Sequence, residues 1–283
     1  MNKNVSTLGK KQVLASFPQR PRDSHKGMFG TVAVIGGAMG MLGAPLLAAR
    51  AALKLGAGCV HVGLLAENAP GVDPVQPELM LHSAKGALQL RDVDVFAIGC
   101  GLGTSIYAQK LLYEALNRNT AMVLDADALN LLAKHSDLQD DLRNRKAATV
   151  LTPHPGEAAR LLDCGTKVIQ ADRIAAVRDM AQKFACSVVL KGADSLCATR
   201  DGKLFVNHAG NPGMSSPGMG DVLTGMIAAF IAQGMTADNA MLMAVHLHGA
   251  AGDAVAEQGI SIGMTASDVT EWARWTFNQW LKK

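Results

Sequence analysis

Short, nearly uninterrupted apolar runs recur along the chain at Thr31–Ile35, Val60–Val62, Val93–Ile98, Met122–Leu124, Thr149–Leu151 and Val188–Leu190. Each is too short for a helix and rich in β-branched residues, so each reads as a strand. Ala-rich stretches of helical pattern separate them. The β-α-β-α order, with strands apolar throughout, predicts an α/β fold with a mainly parallel central sheet and helices on both faces. Leu196 to Asn207, with Asp201-Gly202 at its middle, predicts a hairpin on that sheet. Three long helical patterns, about 217–234, 236–258 and 266–281, finish the chain. Trp272, Trp275 and Trp280 form an approximate stripe on the last of these, which suits core packing or a subunit contact.

Ligands of such sheets lie beyond the carboxyl ends of the strands. The unusual sequences of this chain begin where the strands stop: Gly36-Gly37, Gly99 to Gly103, Asp125-Ala-Asp127, Thr152 to Glu157 and Lys191-Gly192. One rim of the sheet is therefore expected to carry the site.

Composition narrows the class. The 283 residues, 49% hydrophobic, can fill one large core, and no stretch reads as a linker to a second. We expect a leader over 1–24 and a single domain over 25–283. The net charge of +3 comes from scattered basic residues, which argues against a nucleic-acid partner. No segment has the length and apolarity of a signal peptide or membrane span, and five cysteines without C-x-x-C spacing suit reduced thiols. The expected location is the cytoplasm.

The strongest local signal is Gly210-Asn-Pro-Gly-Met-Ser-Ser-Pro-Gly-Met-Gly-Asp221, which runs into the helical pattern Val222 to Phe230. Glycines let backbone amides approach a phosphate, and a helix start favours the anion. An aspartate in that first turn either complements the helix dipole or takes a proton from a hydroxyl; the density of Gly and Pro before it favours the second role. Gly37-x-x-Gly40-x-x-Gly43 is not the dinucleotide fingerprint, and no P-loop occurs. Asp125 is a candidate for a Mg²⁺ site around phosphates, while Asp127 also fits an N-cap. In Thr152 to Glu157, two prolines are expected to hold the loop extended, with His154 and Glu157 facing the rim; helix capping is the other reading of Glu157, which is also a metal candidate. Lys191 either meets phosphates or is a solvated lysine before a turn. His246 and His248, two apart on a helix, point in different directions, which argues against zinc.

Seven motifs taken in order closely resemble the NAD(P)H-hydrate dehydratases: His25-Lys-Gly27, Gly36-Gly37 to Ala44, Gly101-Leu-Gly103, Leu124 to Asn130, Leu151 to Glu157, Val189 to Gly192, and Gly210 to Asp221. The resemblance runs from about residue 25 to 280. It implies a ribokinase-like fold and an enzyme of cofactor repair, a lyase that dehydrates the S epimer of hydrated NADH or NADPH (NADHX, NADPHX) with ADP or ATP cleavage as the drive, and with Mg²⁺. By motif, Ala44, Gly103, His154 and Asp221 correspond to substrate contacts. Lys191, Gly192, Ala193, Asp194, Ser195 and Gly220 correspond to contacts with the spent nucleotide, and Asp221 to the base. His154-Pro-Gly-Glu157, where kinases of the superfamily tend to have Asn-x-x-Glu, favours repair over a vitamin or sugar kinase; accumulation of a phosphorylated product would reverse that. An intact Asp221 speaks against a non-catalytic nucleotide sensor. Pro217 and Met219 depart from the usual glycine and small hydroxyl residue, and Pro217 removes one amide donor from the loop. Members are often tetramers, so a homotetramer is expected, as is a functional link to a separate NAD(P)H-hydrate epimerase.

Overall fold

The computed structural model of the chain describes residues 5–282. Residues 1–4 of the expected leader lie outside the described residues. Strands β1 (Val5–Thr7), β2 (Thr31–Gly36), β3 (Cys59–Leu64), β4 (Met80–Ser83), β5 (Val95–Ile98), β6 (Ala121–Leu124), β7 (Thr149–Leu151), β8 (Ser187–Leu190), β9 (Ser195–Ala198) and β10 (Leu204–Asn207) form one sheet. Its order is β1-β10-β9-β8-β7-β6-β5-β2-β3-β4. From β8 to β4 every pair is parallel, whereas β9 runs antiparallel to both its neighbours. The β9–β10 pair is the expected hairpin, and it turns at Gly202, whose φ is 85°.

Strand β2 shows why the central runs read as continuously apolar: Val32 and Val34 face one helical layer, Ala33 and Ile35 the other, and all four are buried. Helices α1 (Lys10–Leu14), α2 (Gly43–Lys54), α3 (Ala84–Leu88), α4 (Ile106–Leu116), α5 (Asp127–Lys134), α6 (Ser136–Asn144), α7 (Pro155–Leu161), α8 (Thr166–Ala171), α9 (Arg173–Phe184), α10 (Met219–Ala232), α11 (Ala237–Glu257) and α12 (Ala266–Leu281) supply those layers. Helices α2, α10, α11 and α12 cover one face, and α3 to α9 the other. No described helix is long and apolar enough to cross a membrane.

Two strands lie beyond the expected pattern, and both are edges. Strand β1 pairs in parallel with β10, Leu8 and Val13 are buried in the core, and Phe17 meets the Phe277 ring edge-on at 4.9 Å. Residues 5–17, expected within a leader, pack on the sheet and its helices through β1, Leu8, Val13 and Phe17. Strand β4 closes the opposite edge. Of the tryptophans, Trp272 and Trp280 pack on the core, while Trp275 is exposed.

Helix α10 lies close against α2. Small residues make that possible: Ala48 is fully buried, and a Cβ added at Gly225 would fall 1.9 Å from the Ala48 carbonyl oxygen. This approach fixes the helix that carries Asp221 over the middle of the sheet. Gly225→Ala is accordingly expected to lower stability by roughly 1–3 kcal/mol in chemical denaturation, because a methyl group there forces two packed helices apart.

Candidate active site

The loop before α10 is anchored by its own polar residues. Gly210 N–H and Asn211 Nδ2 donate to Asp253 at 2.9 and 3.0 Å, and Ser216 Oγ donates to the Met264 carbonyl. Gly218, with φ 89°, then turns the chain into the helix, and no side chain caps the start. The first-turn amides are left for a ligand, reinforced by the helix dipole. Met219 turns inward and is buried in the core, which suits an apolar residue there. Gly220 has a steric reason: a Cβ there would sit 3.1 Å from Lys191 Nζ and 3.3 Å from Asp125 Oδ2.

Asp221 is half-buried in this first turn. Burial pushes its carboxyl up to about 6; the nearby charge of Asp125 adds to the rise, and a hydrogen bond with Cys100 and the Lys191 charge oppose it. The Cys100 thiol is itself held well above its ordinary value, first by burial and then by the two aspartates. A carboxylate of that pKa is ionised near neutral pH yet poorly solvated, the condition of a general base.

Beneath Asp221 lies a buried ion-pair network. Lys191, leaving β8, donates from Nζ to Asp125 Oδ1 at 2.7 Å and approaches Glu157 Oε2 at 3.8 Å. Thr224, one turn after Asp221, donates to Asp125 Oδ2 at 2.9 Å. Burial alone would raise the Asp125 carboxyl; the Lys191 ammonium and hydrogen bonds from Lys191, Thr152 and Thr224 hold it below the usual range. For Glu157, burial prevails and the carboxyl is raised. Lys191 is held above its ordinary value because Asp125 and Glu157 outweigh its own burial.

The 152–157 segment differs from the expected extended loop. Pro155 begins α7, and His154 caps it: Nδ1 accepts the Gly156 and Glu157 amides at 2.9 and 3.3 Å, and Glu157 Oε2 accepts the His154 amide at 2.7 Å. Proline is well suited to the first helical position, so the second Pro of the motif starts a helix where it was expected to prolong the loop. His154 keeps an exposed side at the rim. Asp127 is the first residue of α5 and not its cap. It accepts the Gly103 amide at 2.8 Å and bonds Asn130, tying the Gly101–Gly103 turn to the helix start. Between the two aspartates, Ala126 is held at φ 49°, a strained setting that sends Asp125 inward and Asp127 toward Gly103. Ala44 borders the same turn, since a Cβ at Gly101 would lie 3.3 Å from the Ala44 Cβ.

Lys191, Gly192, Ala193, Asp194, Ser195 and Gly220 all line one cleft of about 500 Å³, closed on its far side by Asn207 to Pro212 and by His248 of α11. Asp221 directly follows Gly220 of this cleft and is hydrogen-bonded to Cys100, beside the Gly101–Gly103 turn. His246 is engaged elsewhere, bonded to Asn207 and stacked on Trp280.

Mg²⁺ needs free oxygen ligands, commonly one or two carboxylates and the substrate's phosphates. Both oxygens of Asp125 are committed, to Lys191 and Thr224, and both of Glu157 face His154. Lys191 fills the cationic position between the two candidates, so they do not fit as direct Mg²⁺ ligands. Cys100, Asp125 and Asp221 each offer an atom within 4.8 Å of the others, but a buried, protonated thiol is a poor partner for a hard cation.

Three participants escaped the sequence reading. Thr224 was accessible from it, three positions beyond Asp221 and hence on the same helix face. Cys100, flanked by Gly99 and Gly101 at a strand end, carried a fainter signal. Arg173, which donates to the Leu190, Lys191 and Ala193 carbonyls, carried none.

The sheet order and a glycine-rich helix start at the carboxyl rim define a nucleotide-dependent α/β enzyme of the ribokinase-like class. The profile of the NAD(P)H-hydrate dehydratase family matches residues 32–274. An ADP-dependent (S)-NAD(P)H-hydrate dehydratase of Neisseria meningitidis is 44% identical over 267 residues, 93% of this chain and 90% of its own. A bifunctional NAD(P)H-hydrate repair enzyme of Coxiella burnetii is 41% identical over 92% of this chain, which spans 52% of that relative's length. Among solved structures, an ADP/ATP-dependent NAD(P)H-hydrate dehydratase of Bacillus subtilis, co-crystallized with ATP and Mg²⁺, superposes with a TM-score of 0.88 at 29% identity, covering 98% of this chain and 99% of that one. The chain belongs to the NAD(P)H-hydrate dehydratase family.

Proposed function

We propose that this chain dehydrates the S epimer of hydrated NADH or NADPH, with ADP or ATP as phosphoryl donor. The observation that carries the reading is Asp221: a carboxyl raised to about 6, in the first turn of an uncapped helix whose Gly220 lines a nucleotide-sized cleft. Asp221 takes the proton of the ring hydroxyl as its oxygen attacks the terminal phosphorus. The shortened nucleotide leaves, AMP from ADP or ADP from ATP. The ring carbon–oxygen bond then breaks with loss of phosphate, a proton leaves the adjacent carbon, and the dihydronicotinamide double bond returns. First-turn amides of α10 stabilise charge on the transferring group, and Lys191 supplies a fixed cation beside it. Asp125 and Glu157 are committed to other partners, so a Mg²⁺ would be held by the nucleotide's own phosphates, where it would supply further positive charge. The names of the Neisseria and Bacillus relatives support this donor class and substrate, and the bifunctional relatives support a functional link to an epimerase that supplies the S form.

The test is stoichiometric. One inorganic phosphate per NADH restored, with no phosphorylated organic product accumulating, is the expected outcome; a stable phosphorylated product would replace the reading with a kinase. A pH profile checks the base separately. Because burial raises Asp221 to about 6, kcat/KM is expected to climb through that pH on the acid side and level off above it. A profile that is flat between roughly pH 5 and 8 would remove Asp221 from the role.

A further inference from the structure

Four successive carbonyls of the cleft's cation-bearing loop are held from behind. Arg173, the first residue of α9, donates from Nη2 to the Leu190 and Lys191 oxygens at 3.2 and 3.3 Å, and from Nη1 to the Ala193 oxygen. Ser195 Oγ takes the remaining one, Gly192 O, at 2.9 Å. With these carbonyls turned back, the amides turn forward: among the described residues, the N–H groups of Gly192, Ala193 and Asp194 have no partner. Gly192 and Asp194 lie at φ 140° and 53°, and successive amides in such a turn make an anion-binding concavity. The outer end is latched as well, Asp194 Oδ1 meeting His208 Nδ1 at 2.6 Å. Gly192 leaves room for the guanidinium, since a Cβ there would lie 3.1 Å from Arg173 Nη2.

We propose that Arg173 is the positioning residue of this loop, shaping its amides to receive the phosphates or ribose of a nucleoside di- or triphosphate. The inference rests on the cleft's being the nucleotide site. Arg173 does not line the cleft and acts through Lys191 to Ala193. A planar fork suits the task, because one guanidinium reaches three carbonyls that an ammonium cannot all meet at once.

Calorimetry with ADP and with ATP, on wild type, Arg173→Ala and Arg173→Lys, together with steady-state kinetics, tests it. Arg173→Ala is expected to raise the nucleotide Kd and KM on the order of ten- to a hundredfold, since the loop must be ordered at binding, with a smaller change in the KM for hydrated NADH. Arg173→Lys is expected to fall between the two, and decides the matter should the alanine variant fail to fold. Wild-type affinity in Arg173→Ala would overturn the proposal, as would full affinity in Arg173→Lys, which would assign the effect to charge alone. A loss of kcat without a rise in nucleotide KM would also contradict it. If the wild type binds neither nucleotide, the reading of the cleft fails and this inference falls with it, whereas binding by wild type with no effect of the variants defeats the inference only.

Discussion

Asp221→Asn is expected to lose about 10²–10⁴-fold in turnover and to melt no lower than the wild type at neutral pH. The amide keeps the size and the hydrogen-bonding edge of the carboxylate but cannot accept the hydroxyl proton. The stability half follows from linkage. Asp221 has a folded-state pKa raised from 3.8 to about 6 by burial, so folding favours its protonated form. Its contribution is fully present below the unfolded value and is lost as pH rises through about 6. At pH 7 the ionised side chain is therefore a net cost to the fold, and a neutral amide removes it. Nucleotide affinity is expected to persist, because the α10 amides and Lys191 are untouched. Parallel kinetics, calorimetry and thermal unfolding check all three parts, and near-normal turnover would remove Asp221 as the base.

Lys191→Ala is expected to act on two properties at once. Nucleotide binding weakens as the cleft loses its cation, and the fold loses roughly 3–5 kcal/mol because Asp125 and Glu157 are left buried without a counter-charge. Asp125 shows the sign of the linkage. Its carboxyl is held below the usual range by Lys191, so its stabilising share is present above the unfolded value and disappears as pH falls through the lower folded one. In the alanine variant that share is gone at neutral pH. Adding Asp125→Asn to Lys191→Ala is expected to restore much of the lost stability in denaturant melts but none of the nucleotide affinity. A single variant as stable as the wild type would contradict the buried ion pair.

The parts of the fold legible in the sequence were those that burial makes loud. Strands β2, β3 and β5 to β8 are buried on both faces, so their apolar runs stand out, and the three final helices are long enough for their period to show. Strands β1 and β4 are short edges with exposed positions, Ser6 and Thr7 in one and Met80 in the other; no apolar run marks β1, and the short run Leu79-Met80-Leu81 at β4 has no β-branched residue. Asp221 could be singled out because its glycine-rich approach is continuous in sequence. Its electrostatic setting could not, because Asp125 and Lys191 are 66 residues apart and Asp125 and Thr224 are 99 apart. Glu157 held two readings, capping and metal binding, and the geometry favours the cap. Which carbonyls Arg173 holds depends on how α9 returns beside β8, and a single arginine at a helix start gives no hint of it.

In the proposed reaction, nucleotide cleavage at this rim drives repair of a hydrated nicotinamide ring. Its most direct test is to follow the return of dihydronicotinamide absorbance when the purified protein meets hydrated NADH and Mg²⁺, with ADP, ATP or no nucleotide in parallel. A rise that requires one of the nucleotides is the predicted result. No rise with either, from protein shown to be folded, would contradict the account.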